Sequence, residues 1–406
     1  MAVGESVWPT MHSINGLRLG AAQAGVKYAN RFDLLLIAID EGSSVAGVFT
    51  QNAFCAAPVL LGREHLAQGN IRYLLVNSGN ANACTGVQGL ADALTCCRVV
   101  AESGGADARQ VIPFSTGVIG EFLPTAKIVA ALPQAFASLD EDNWELAART
   151  IMTTDTHPKG VSEQFEVDGE VVSVTGIAKG AGMIRPNMAT MLAYIATDAV
   201  VAQPVLDEIV KRAADKSFNR ISIDGDTSTN DACILIATGR VGLPMLTEAR
   251  GPVYESLLAA VTRVQQQLAQ AIVRDGEGAT KFIRVQIDGG IHSGECLQVA
   301  YAIAHSPLIK TALYASDPNW GRIVAAIGYA GVKGLDAELI QVWLDDVLIV
   351  ERGGRASGYT EEAGAAVVSQ AEFTVRVNLG RGHASEQVWT CDLSHEYVTI
   401  NADYRS

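Results

Sequence analysis

The loop Lys179-Gly180-Ala181-Gly182-Met183-Ile184-Arg185-Pro186-Asn187-Met188-Ala189-Thr190 runs without a break into an apolar segment, Met191-Leu192-Ala193-Tyr194-Ile195-Ala196. This junction constrains the chain more than any other stretch. An apolar run so short, entered from glycines, reads as a buried strand. A hydroxyl, that of Thr190, then sits at the mouth of the strand. The residue before it, Ala189, is small enough to leave its carbonyl open to attack. Such a layout suits a threonine that attacks its own preceding peptide bond. Cleavage there would make Thr190 a chain terminus whose free α-amine serves as its own general base. A glycine-rich turn feeding an ordinary core strand fits the same residues.

Strand-like runs recur along the chain: Leu34–Ile39, Val45–Phe49, Tyr73–Val76, Val171–Ile177, Met191–Ala196, Cys233–Thr238, Phe282–Ile287, Val342–Val350, Phe373–Leu379 and Glu396–Ile400. Between them, Gly89–Ala101, Thr125–Ala135, Gln203–Ser217 and Val253–Val273 carry apolar residues at helical spacing. The pattern predicts an α/β or α+β chain with more than one sheet, and no short internal repeat is visible. At 406 residues the chain is long for one domain. The loose Pro/Gly stretch from Gly242 to Pro252 is the best candidate boundary. The Thr190 junction is no linker, because apolar sequence continues past it.

Composition excludes several function classes. Hydrophobic residues make up 49% of the chain and charged residues 18%, enough for a large core and against disorder. A net charge of −14 with no basic stripe argues against nucleic acid. The seven cysteines are scattered and show no CxxC or Cys/His ligand spacing, so they read as buried thiols of a reducing compartment and give no zinc site. Residues 1–20 include Glu5, Asn15 and Arg18 and lack the apolar stretch of a secretory signal. No run approaches membrane-spanning length. The expected location is the cytoplasm, with no membrane partner.

Other apparent motifs fail. Gly180-Ala181-Gly182 lacks the third glycine of a dinucleotide loop. The run from Asp224 resembles the start of a calcium loop, but Thr229 and Leu235 stand where Gly and Glu are needed. His157 reads as an exposed loop histidine, and no GxSxG elbow is present. A hydroxyl nucleophile therefore needs another base. A terminal amine, with an ordinary pKa of about 7.7–8.0, is close to operating pH. The segment Phe114-Ser115-Thr116-Gly117-Val118-Ile119-Gly120 reads as a hydroxyl-bearing turn. The amide of Gly117 can approach an oxyanion because no Cβ intrudes, and the Thr116 hydroxyl adds a second donor. Lys179, beside the nucleophile loop, is suited to a substrate carboxylate. Glu277, between Gly276 and Gly278, can reach a cationic amine without obstruction.

The Lys179–Leu192 segment resembles that of the ornithine acetyltransferase (glutamate N-acetyltransferase) enzymes of arginine biosynthesis, whose precursors split before the corresponding Thr. Further segments are similar along the whole chain: Asn77–Ala83, Thr116-Gly117, Asp224–Asp231, Arg274–Lys281, Asp317–Arg322 and the C-terminal Asn401–Ser406. The resemblance implies a multi-sheet α/β sandwich of the ornithine acetyltransferase type, autoprocessed into chains 1–189 and 190–406 by cleavage between Ala189 and Thr190. It implies Thr190 as nucleophile and Thr116 and Gly117 as the oxyanion hole. It implies Thr153, Lys179, Thr190, Glu277, Asn401 and Ser406 as substrate-binding residues. Acetyl would pass from N-acetylornithine to Thr190 as an ester, and then to glutamate. No cofactor or metal is required, because the ester stores the acyl group. The resemblance also implies a heterotetramer of two cleaved pairs. Whether acetyl-CoA is a second donor is left open. The alternatives are an amidase or aminopeptidase of the same nucleophile class, and a binding protein with an uncleaved loop.

Overall fold

In a computed structural model of the chain, residues 3–4, 7–185 and 191–403 are described. Ala189, Thr190 and Ser406 lie outside them. The chain forms two compact units, one comprising Val7–Asn219 and Asp226–Ile272, the other Met1–Ser6, Arg220–Gly225 and Val273–Ser406. The Gly242–Pro252 stretch lies inside the first of these.

That unit is built on two sheets. One has four strands in the order Leu17–Ala22, Leu34–Ile39, Tyr73–Asn80, Val111–Val118, the last pair parallel and the others antiparallel. The other has five, in the order Ser44–Phe49, Ala232–Ala237, Leu192–Thr197, Glu170–Lys179, Lys159–Val167. Its central pair, Ala232–Ala237 with Leu192–Thr197, is parallel and flanked by antiparallel neighbours. The sheets face each other across one apolar core. Leu17, Leu19, Leu35, Ile37, Leu74 and Phe114 from the first meet Ile177, Leu192, Tyr194, Ile234 and Ile236 from the second. Phe114 and Tyr194 cross this core edge to face, with centroids 5.3 Å apart.

The alternate residues of the same strands point outward, and they too are apolar. Leu34, Leu36, Leu75 and Val111 pack under the helices Gly86–Gly104 and Thr125–Ala137 through Cys96, Cys97, Val100, Ile128 and Leu132. On the five-stranded sheet the helix Gln203–Asp215 covers Ser44–Phe49 and Ala232–Ala237. Its buried residues Val205, Leu206, Ile209, Val210 and Ala213 repeat at helical spacing. Strands covered on both faces become continuous apolar runs, which is why Leu34–Ile39 and Leu192–Thr197 are buried at every position.

The second unit carries one mixed sheet, ordered Gly354–Arg355, Val347–Glu351, Gln341–Leu344, Glu372–Asn378, Phe282–Gly290, Ala384–Cys391, Ile221–Ser222. One face packs through Ile283, Val285, Val375 and Val377 on the helices Ser293–Ala304, Pro307–Tyr314, Trp320–Tyr329 and Glu361–Val368. Arg376 lies on the opposite face, bonding Asp288 at 2.8 Å and stacking over Trp343.

Two expected strands differ. Val342–Val350 is a hairpin, because Asp345 turns the chain at φ +46°. Glu396–Ile400 is helical, within His395–Ala402. No partner strand among the described residues claims it, and Val398 is 65% exposed. The segment around Thr116 also differs from a turn: Thr116 and Gly117 finish the strand Val111–Val118.

Candidate active site

Strand pairing sets three adjacent positions in one row. Lys179 pairs with Leu192 antiparallel, and Leu192 pairs with Ala232 in parallel register. The Ala232 amide donates to the Met191 carbonyl at 3.0 Å. Lys179 and Asp231 therefore flank the entry to the strand Leu192–Thr197.

Lys179 is 8% exposed, and its ammonium donates to Thr116 Oγ1 at 3.2 Å. A hydroxyl that accepts from an ammonium still has its own hydrogen to give. The next residue, Gly117, sits at φ +135° against Gly79 of the neighbouring strand. A Cβ there would lie 2.2 Å from the Gly79 carbonyl carbon, so the approach admits glycine alone. Buried amides fix this strand end. Ser115 Oγ donates to Asn77 Oδ1 at 2.6 Å, and Asn230 Nδ2 reaches the carbonyls of Ala81 at 2.6 Å and Ser115 at 2.9 Å.

Asp155 governs the other side of Lys179. Its carboxylate accepts from the Gly180 amide at 2.6 Å, the Thr153 amide at 3.0 Å and Lys159 Nζ at 2.7 Å. Burial alone would raise this carboxyl. The opposing pull of Lys159, Lys179 and the donated hydrogen bonds holds it well below the usual carboxylate range. Thr153 thus belongs to the Asp155 loop and joins it through its amide. Asp231 has the reverse character. It is 3% exposed, and burial, only partly offset by Ser228 and Lys179, pushes it well above the usual range. Lys179 accordingly stands between one carboxyl held down by its partners and one pushed up by burial.

In the other unit Glu277 and Asn401 meet. Glu277 is 8% exposed and accepts from Asn401 Nδ2 at 2.7 Å. Ser394 fixes the loop by donating to the Gly278 carbonyl at 2.6 Å, and Asp392 accepts from the amides of Thr280 and Lys281. Helix His395–Ala402 delivers Asn401, whose amide also reaches the Tyr397 carbonyl.

The expected residues thus fall into two described groups, Thr116, Gly117, Thr153 and Lys179 in one unit, Glu277 and Asn401 in the other. Asp155 and Lys159 were not singled out by sequence, and Asn230 and Asp231 fell within the Asp224–Asp231 resemblance without a role. The Asp155–Lys159 pair was visible as opposite charges four apart, but in a loop that spacing carries no meaning by itself. Asp231 had one signal: an acid directly ahead of the apolar run Ala232–Ala237. No cluster of three or more His, Cys, Asp or Glu suited to a metal occurs among the described residues.

Comparison with known proteins identifies the family. Residues 18–406 match the sequence profile of the ArgJ family. The chain is 59% identical to an arginine biosynthesis bifunctional protein of Pseudomonas syringae pv. tomato, over the whole of both chains. A crystal structure of the Bacillus halodurans bifunctional protein is 37% identical, covering 50% of this chain and 95% of that one, with a TM-score of 0.48. A Mycobacterium tuberculosis ornithine acetyltransferase solved with ornithine is 34% identical, covering 44% and 93%, with a TM-score of 0.38. The chain belongs to the ArgJ family and is an acyltransferase of arginine biosynthesis.

Proposed function

We propose that the precursor cleaves itself between Ala189 and Thr190, giving residues 1–189 and 190–406, and that Thr190 then carries acetyl from N-acetylornithine to glutamate. Thr190 Oγ attacks the acetyl carbonyl while its proton passes to the Thr190 amine. The C–N bond of the donor breaks, the proton leaves with the ornithine amine, and an acetyl ester remains. The glutamate amine attacks that ester, giving N-acetylglutamate and restoring Thr190. The Thr116 hydroxyl and the Gly117 amide hold the oxyanion of each step.

The observation that carries this reading is the Lys179–Thr116 contact beside the entry to Leu192–Thr197. It sets a charge-backed hydroxyl at the mouth of the strand that follows Thr190. Lys179 and Thr153 hold the substrate carboxylate end. Glu277, supported by Asn401, recognises an amino-acid ammonium, and Ser406 joins that group. Acetyl-CoA serves as a second donor for glutamate, a reading favoured by the bifunctional name of the 59% identical relative. The cleaved pairs assemble as a heterotetramer. All seven cysteines are free thiols, five of them buried, which supports a reducing compartment such as the cytoplasm.

Intact-mass measurement tests the proposal. Two fragments are expected, with Thr190→Ala remaining whole. N-acetylornithine alone should add one acetyl mass to the 190–406 fragment, and the double-reciprocal lines with glutamate should be parallel. Intersecting lines together with no acetylated fragment would overturn it.

A further inference from the structure

The loop Gln23–Asp33, between the strands Leu17–Ala22 and Leu34–Ile39, has no place in the chemistry above, yet it is built onto the same strand ends. Asp33 is 3% exposed and spends both carboxylate oxygens on this loop, accepting from the Ala24 and Val26 amides at 2.6 Å each. Its carbonyl takes the Ser78 amide at 2.9 Å. A turn held by a buried carboxylate is a fixed platform. It lays Val26 and Lys27 against Gly79, where a Cβ would lie 3.0 Å from Lys27 Cβ and 3.4 Å from its nitrogen. Gly79 sits at φ +102° and pairs with Gly117, one strand spacing of about 4.8 Å away. Lys27, Gly79 and Gly117 therefore lie side by side.

What the platform carries is positive charge. Lys27 Nζ stands 5.0 Å from the centre of the Tyr28 ring, and Tyr28 is 50% exposed. Arg31 donates to the Met152 carbonyl. Lys127, exposed on helix Thr125–Ala137, donates to the Gly25 carbonyl at 2.7 Å. Carbonyls orient these cations without neutralising them. Elsewhere on the chain arginines face acids: Arg18 and Arg240 share Asp40, and Arg149, Arg263 and Arg376 hold Glu145, Glu163 and Asp288. Neither Arg31 nor Lys127 meets a carboxylate among the described residues. In a chain of net charge −14, three cations gathered round a half-exposed aromatic ring suit a ligand with several negative charges and a flat ring of its own.

We propose that this platform binds the nucleotide end of a coenzyme A thioester. Lys27, Arg31 and Lys127 take its phosphates and Tyr28 its purine, while the thioester arm runs past Gly79 to Thr116 and Gly117. This rests on acetyl-CoA being a second donor. N-acetylornithine and glutamate have neither a phosphate nor a flat ring to occupy the platform. The chemistry is that of the first donor with a different bond broken. The nucleophile's oxygen bonds the acetyl carbon, the C–S bond breaks, and the nucleophile's proton leaves on the thiol.

The test assays the full chain of wild type and of the double variant Lys27→Ala, Lys127→Ala, with glutamate and each donor in turn. The KM for acetyl-CoA is expected to rise about tenfold in the variant and to lose part of its dependence on ionic strength. The KM values for N-acetylornithine and for glutamate should stay within about twofold, because surface charges far from a ligand count for little. Free CoA should compete with acetyl-CoA about tenfold more weakly in the variant. Wild type that does not acetylate glutamate from acetyl-CoA would sink the donor reading, and the platform with it. Wild-type activity with that donor, but an unmoved KM for it in the variant, refutes the platform alone. Equal rises for all three substrates refute it too, since a packing defect or a general field acts on each. If the double variant does not fold, Lys127→Ala alone decides, at an exposed helix position, with a rise of about threefold for acetyl-CoA expected and no change overturning the proposal.

Discussion

Replacing Gly117 by alanine should separate the geometry of the proposed oxyanion hole from the mere presence of its donors. A Cβ at 117 would lie 2.2 Å from the Gly79 carbonyl carbon, 2.5 Å from the Asn80 nitrogen and 2.6 Å from the Gly79 oxygen. All three are backbone atoms of the paired strand, so no side chain can rotate away. Bringing 2.2 Å out to an ordinary contact of about 3.4 Å moves one strand end by about 1.2 Å. Overpacking of this kind costs about 1–3 kcal/mol, and the positive φ adds about 1–2 kcal/mol. A displacement near 1 Å in a reacting group costs on the order of 10²-fold in rate. Gly117→Ala should therefore lose about 2–5 kcal/mol in urea denaturation, and about 10²-fold or more in kcat. Gly120→Ala is the control. It sits at φ +87° with nothing within 4 Å of a new Cβ, so it bears only the backbone strain. Equal stability and turnover in the two variants would refute the close-approach argument.

The remaining expectations concern two buried carboxylates, Glu277, proposed to bind an amino-acid ammonium, and Asp155, which pairs with Lys159. Glu277→Gln keeps the hydrogen bond to Asn401 but removes the charge. Losing a buried charged partner costs about 2 kcal/mol or more, so kcat/KM should fall roughly 30-fold, while fragment masses stay those of wild type. Unchanged kinetics would return Glu277 to a loop-stabilising role. For Asp155 the native carboxyl lies below its unfolded value near 4, so its contribution is full above that pH and is lost as pH falls through the native value. Asp155→Asn leaves Lys159 buried without its anion, a loss of about 3–5 kcal/mol at neutral pH. The stability gap to wild type should narrow on acidification from pH about 5 to 3. A gap that stays constant across that range would argue against the ion pair.

The two sheets of the first unit were legible where burial on both faces makes a strand continuously apolar, as in Leu34–Ile39 of the four-stranded sheet and the run after Met191 in the five-stranded one. Alternation was a weaker guide. Glu396–Ile400 has too few residues to tell a period of two from 3.6, and its helix buries none of its side chains. Val342–Val350 hid a turn because Asp345-Asp346 lacks the glycine that usually marks one. Thr116-Gly117 suggested a turn because glycine breaks strand patterns. Here the glycine is what allows the strand to continue past Gly79. Of the site, the residues carried by the family resemblance or by glycine-flanked loops could be named. Asp155 could not, and Asp231 lay in a named segment without a role, because what distinguishes them is supplied by Lys159, Lys179 and burial, which come from other strands and loops.

The order of the five-stranded sheet has a consequence for how such an enzyme can be lost and regained. Strands Leu192–Thr197 and Ala232–Ala237 lie between Glu170–Lys179 on one side and Ser44–Phe49 on the other. A cut ahead of Met191 would leave a central pair from one piece enclosed by strands of the other. An uncut chain folds by a first-order process, with residues 186–190 as a tether. The cut form, once denatured, could regain the sheet only by a meeting of two chains, at a rate set by their concentration. On the proposed cleavage, dilution after denaturation should thus rescue uncut Thr190→Ala and strand a cut chain, whose two pieces would have been matched only once, while still a single chain.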